Sequence, residues 1–135
     1  MATNGASVRL KITVTGGQVL ADLEFANSSR QDVFIEKYNA CIDGEIENNV
    51  FQIRTDERVL DYTGMLAKRR RPLPEDYVRL APGRMFAARV DLTRAYKFPR
   101  GVHSYEARYS AVLSYPDRDG IWSLKSDWER FRFSR

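Results

Sequence analysis

The 135 residues contain one cysteine, Cys41, and one histidine, His103. Cys41 therefore has no partner for an internal disulfide. With a single imidazole the chain cannot carry His-Glu-x-x-His, in which two histidines one helical turn apart share a zinc ion. A Ser–His–Asp triad would have to take His103 as its base. Its setting, Arg100-Gly101-Val102-His103-Ser104, reads instead as a loop entering a strand, with an ordinary surface histidine. Cys41 lies in Asn39-Ala40-Cys41-Ile42-Asp43, a neutral to acidic stretch that does nothing to lower a thiol pKa, so a packed, inert thiol is expected. There is no glycine-rich phosphate loop and no Asp-x-Asp-x-Asp-Gly calcium loop. Asp43, Glu45 and Glu47, or Glu75 and Asp76, are carboxylates of the kind a glycosidase pairs, but acidic turns are common without that role. The expectation is a non-enzyme with no catalytic residue, no metal ligand and no cofactor.

No apolar run approaches the 18 or more residues of a membrane-spanning helix. Met1-Ala2-Thr3-Asn4-Gly5 offers neither the charged nor the apolar region of a secretory signal, which predicts a cytoplasmic protein. The length suits one domain, residues 1–135, with residues 1–6 as a flexible N-terminus.

The net charge is +4, and it is uneven. Residues 1–67 carry 6 Lys and Arg against 10 Asp and Glu, whereas residues 68–135 carry 16 against 8. Strands from the two halves can interleave, so folding decides whether this asymmetry becomes a charged face. Arginine outnumbers lysine 17 to 5. Arginine forks onto carboxylates and stacks on aromatics, though gene base composition accounts for the same excess.

Period-two alternation dominates the chain. Val8, Leu10, Ile12 and Val14 alternate with Arg9, Lys11 and Thr13, and after Gly16-Gly17 the pattern resumes in Val19, Ala21, Leu23 and Phe25. This is a β-hairpin, half-buried on one face. Further strands read over 33–38, 50–54, 59–62, 77–80, 86–92, 105–115, 121–124 and 128–133. Ala81-Pro82-Gly83 predicts a type II turn. The fold class is all-β, an immunoglobulin-like antiparallel β-sandwich of about seven to nine strands, with a closed barrel as the alternative. The expected core includes Leu10, Ile12, Leu23, Phe25, Phe51, Val90, Tyr109 and Leu113.

One ordered series goes beyond periodicity: Phe51-Gln-Ile-Arg, Asp61-Tyr62-Thr63-Gly64, Lys68-Arg69, Glu75-Asp76-Tyr77-Val78, Leu80-Ala81-Pro82-Gly83, Val90-Asp91-Leu92-Thr93-Arg94-Ala95-Tyr96 and Tyr105-Glu-Ala-Arg-Tyr109. It resembles the non-catalytic N-terminal β-rich region of deuterolysin-like and peptidyl-Lys metalloendopeptidases. The chain contains no counterpart of their zinc domain, so the resemblance implies the accessory domain without its activity. Arg84 stands where the family is expected to place an acidic residue, and Pro99-Arg100 is an addition. In the residues themselves, Tyr62, Tyr77 and Tyr96 read as rings that bury while their hydroxyls anchor loops.

Together these features predict a non-catalytic protein-binding module, an inhibitor or immunity protein for a metallopeptidase. The alternative is a structural or assembly protein that associates through sandwich edge strands. The partner expected is another protein, with nucleic acid and membrane disfavoured. The loop Lys68-Arg69-Arg70-Arg71, stiffened by Pro72 and Pro74, is its expected contact.

Overall fold

Alternating sequence becomes alternating structure in a computed structural model, which describes residues 5–56, 58–65 and 71–135. Ten strands form among these residues: β1 (Ala6–Thr15), β2 (Gln18–Asn27), β3 (Val33–Glu36), β4 (Phe51–Thr55), β5 (Arg58–Val59), β6 (Tyr77–Leu80), β7 (Met85–Asp91), β8 (Val102–Ser114), β9 (Ile121–Lys125) and β10 (Glu129–Ser134). The count exceeds the expected seven to nine because β5 is a two-residue return from β4, and β9 and β10 divide one edge of β8 between them. The rest is turn, loop and short 3-10 segments, such as Leu92–Arg94.

All pairings are antiparallel. One sheet runs β1-β2-β7; the other runs β10-β8-β4-β5, with β9 also on β8; β3 pairs with β6. The two larger sheets face each other across one apolar core, so the arrangement is a sandwich rather than a closed barrel. Phe25 of β2 meets the ring of Tyr109 of β8 edge-on at 5.4 Å, and Phe51 of β4 meets it at 6.0 Å. Leu23, Ile53, Val90, Leu92, Leu113 and Leu124 fill the space around them, each at most 2% exposed.

Turn chemistry fixes the registers. Gly16 and Gly17 both have positive φ, 51° and 81°, the type I′ geometry that matches strand twist. It sets Val14 opposite Val19 and Leu10 opposite Leu23. Gly83 has φ 73°, and the Arg84 N–H donates to the Ala81 carbonyl at 3.0 Å, which closes the type II turn between β6 and β7.

Two expectations need correction. Ile12 is only half-buried, and Val14 beyond it is 40% exposed, because this end of the edge strand β1 runs past the core, whereas Ala21 and Val19 opposite them on the central strand β2 are fully buried. The expected flexible N-terminus is too long by at least two residues. Ala6 is buried and pairs with Asn27, and the Gly5 carbonyl accepts from the Ser28 N–H at 3.0 Å.

The three motif tyrosines meet their expectation in part. The Tyr96 hydroxyl accepts from the Phe51 N–H (3.0 Å) and donates to Asn49 Oδ1 (2.7 Å). The Tyr77 hydroxyl lies 2.8 Å from Ser114 Oγ, and Tyr62 donates to the Met65 carbonyl at 2.6 Å. Tyr96 buries its ring in the core and Tyr62 packs partly against it, but only Tyr62 bonds loop backbone; Tyr96 bonds strand backbone and a loop side chain, and Tyr77 a strand side chain.

Candidate functional site

The most distinctive surface arises from one extra residue. Lys125 pairs with Ser110 and Glu129 pairs with Ala107. Three residues, Ser126, Asp127 and Trp128, thus lie opposite two, Arg108 and Tyr109. This is a β-bulge, and it shifts the alternation by one. Before it, Trp122 and Leu124 point inward; after it, Phe131 and Phe133 do. Ser126 pins the offset: its N–H donates to the Tyr109 carbonyl (3.0 Å), its Oγ accepts from the Tyr109 N–H (2.9 Å), and its hydroxyl donates to the Asp127 carbonyl (2.9 Å). An unbroken strand would carry Trp128 into the core after Trp122 and Leu124. The bulge places it on the outer face instead.

On that face Trp128 meets cations. The Arg54 guanidinium sits 4.0 Å from the Trp128 ring centre and that of Arg108 sits 4.5 Å from it, both within cation–π range. Arg108 Nε donates to Gln52 Oε1 at 2.7 Å, and Arg54 faces Glu106 at 3.5 Å. The Arg54–Glu106 pair is partly exposed and contributes at most about 1 kcal/mol, so it orients Arg54 more than it stabilises the fold. Register sets Arg130 opposite Glu106 and Arg132 opposite Ser104. Both arginines are exposed, and neither has a carboxylate within ion-pairing distance among the described residues. A cleft of about 660 Å³ lies here, its lining including Arg54, Asp56, Ser104, Glu106, Arg130 and Arg132. Farther along β8 the same face turns apolar, with Val112 60% and Ile121 72% exposed.

The opposite sheet differs. On its outer face Arg89 forks onto Asp22 at 2.6 and 3.2 Å, and Arg9 lies 3.9 Å from Glu24. That face largely satisfies its own charges. Arg130 and Arg132, both from the basic half, share the face of β8, because β10 lies beside it.

The expected contact loop is mostly out of view: Lys68, Arg69 and Arg70 lie outside the described residues. Arg71 is exposed and faces Asp119, itself fully exposed, at 3.5 Å, a weak solvent-screened pair. The acidic candidates do not converge. Asp76 Oδ2 accepts from the Leu73 N–H at 2.8 Å and caps a 3-10 turn, while Asp43 takes a left-handed φ of 58° in another. His103 Nε2 lies 2.7 Å from the Arg100 carbonyl. Among the described residues no three His, Cys, Asp or Glu side chains gather in a way that could hold a metal ion. No helix among them is long and apolar enough to cross a membrane.

Cys41 is buried, and burial, helped by the nearby Glu47, pushes its thiol from 9.0 up to about 12. A neutral, enclosed thiol is a poor nucleophile. Unfolding restores the ordinary value, so the unfolded chain gives up this proton at lower pH than the folded one. The stability contribution is whole below pH 9 and is lost as pH rises through 9 toward 12. Within that window the slope is about 1.4 kcal/mol per pH unit. Tyr96 and Tyr109, also raised by burial, add in the same direction. Urea melts between about pH 8 and about pH 10 should show a shallower decline for Cys41→Ala than for wild type. Equal slopes would mean that the thiol ionises freely in the folded state.

No family model matches the chain, and no curated protein is significantly similar to it.

Proposed function

We propose that this chain is a non-catalytic protein-binding module built on an immunoglobulin-like sandwich, acting in the cytoplasm without a cofactor. The facing strand orders β1-β2-β7 and β10-β8-β4-β5 support the topology. One observation carries the functional reading. The outer face of the β8 sheet presents Arg130 and Arg132, unpaired among the described residues, beside Trp128, with Val112 and Ile121 exposed farther along. Arginine and tryptophan supply a disproportionate share of binding energy at protein interfaces. A sheet face that leaves such residues uncovered, while the opposite face pairs its own charges, suits a protein partner of complementary charge. A second copy suits it poorly, because its arginines would meet arginines.

The sequence resemblance supports a metallopeptidase as that partner, with the module inhibiting it or protecting the host from it. The test mixes the purified chain with zinc peptidases of the deuterolysin and peptidyl-Lys types, measuring heat of binding and residual proteolysis. Saturable binding, weakened about tenfold or more by Trp128→Ala or by Arg130→Ser with Arg132→Ser, is the expected result. Full proteolysis and no heat at saturating concentrations would remove the peptidase as partner.

A further inference from the structure

We infer that the cleft between Arg54, Arg130 and Arg132 receives an extended acidic segment with carboxylates on alternate residues; the inference rests on the protein-binding reading and deepens it. Arg130 and Arg132 are two apart on β10, so both project from one face about 6.8 Å apart along the strand. An extended partner strand repeats its own side chains at the same interval. Two carboxylates spaced i and i+2 can therefore meet two guanidiniums without bending either chain, each in a charge-assisted pair.

Arg54 is held at the cleft by Glu106 and Trp128, so less side-chain freedom is lost when it contributes a third cation. Ser104, opposite Arg132, adds a hydroxyl. Asp56 and Glu106 lie in the same lining and repel any anion, carboxylate or phosphate, that is not set against a guanidinium. The exposed Val112 and Ile121 farther along the same face suit apolar side chains of a protein, which favours spaced carboxylates over nucleic acid.

The experiment uses the full ¹⁵N-labelled chain and three probes: the heptapeptide Glu-Thr-Glu-Thr-Glu-Thr-Glu, its isomer Glu-Glu-Thr-Thr-Glu-Glu-Thr, in which no two carboxylates are spaced i and i+2, and a short oligothymidylate. The alternating peptide should shift the Trp128 indole N–H and the β10 amides saturably. It should bind about threefold or more tighter than its isomer and weaken as salt rises from about 20 to about 200 mM. Arg130→Ser with Arg132→Ser should weaken it about tenfold or more with little change in thermal midpoint, since both side chains are solvent-exposed. Equal affinity for the two isomers, tighter binding of the oligonucleotide at the same residues, or no response to the alternating peptide would each overturn the inference. A peptidase that binds wild type and this double variant equally would remove this site yet leave the module reading standing. Tight alternating-peptide binding with no peptidase binding would retain the site and remove that partner.

Discussion

Tyr109→Ala should lower the unfolding free energy by about 3–5 kcal/mol, the cost of emptying an aromatic site in a packed core. Tyr109 is fully buried at the centre of β8; its ring meets Phe25 of the opposing sheet edge-on and Phe51 of the neighbouring strand within its own sheet. Dispersion contacts and apolar burial are lost together, and neighbours on two strands cannot both collapse into the hole. The hydroxyl adds a separable part: it donates to the Asn39 carbonyl at 2.7 Å. Tyr109→Phe keeps the ring and leaves that carbonyl short of a donor, at a cost of about 1–3 kcal/mol. Urea denaturation of both variants checks the division. A loss below about 1 kcal/mol for Tyr109→Ala would mean that the sheets do not meet at this ring.

Asn27→Ala should cost about 2–4 kcal/mol, well beyond a typical surface substitution. Asn27 is 2% exposed and uses its whole amide. Nδ2 donates to the carbonyls of Gln31 (2.7 Å) and Leu80 (2.9 Å), and Oδ1 accepts from the N–H (2.9 Å) and hydroxyl (2.7 Å) of Ser29. One side chain thereby ties the turn after β2 to the end of β6. Alanine leaves these groups to find water in a place with little access to it. Asn27→Asp should be no milder, because a carboxylate has no donor for the two carbonyls. A thermal midpoint within a degree or two of wild type would show that water replaces the amide readily.

Sequence alone reads the strands well and the surface poorly, for a physical reason. Alternation records which side chains leave water, so Leu10, Leu23, Phe25, Phe51, Val90, Tyr109 and Leu113 are legible as core and are buried. Ile12 continues the same pattern but is half-exposed, because periodicity does not say where the opposing sheet ends. Asn27 reads as the start of a polar turn, since its four partners are mostly backbone groups that composition cannot show. The outward Trp128 does leave a trace in the sequence. Inward residues sit at even positions, Trp122 and Leu124, and then at odd ones, Phe131 and Phe133. That change of phase within one apparent strand pair signals an offset, and hence a tryptophan that need not be core. The pairing of Arg54 and Arg108 with it depends on β4 lying beside β8, a long-range fact absent from local pattern.

The offset at Ser126–Trp128 also makes length changes in this chain unequal. The turn at 116–120 can gain or lose a residue and leave both flanking strands their sidedness, as surface connections generally do. Deleting one residue between Lys125 and Glu129 would restore an unbroken alternation, and one of the two strands would have to turn over to accept it. If β9 turned, Trp122 and Leu124 would face water; if β10 turned, Arg130 and Arg132 would be driven into the interior. Interior and exterior are thus bound together by the odd or even count of three residues. A lineage of such chains could rewrite the arginine face by substitution, but could not alter the length of this short link by one without exchanging inside for outside.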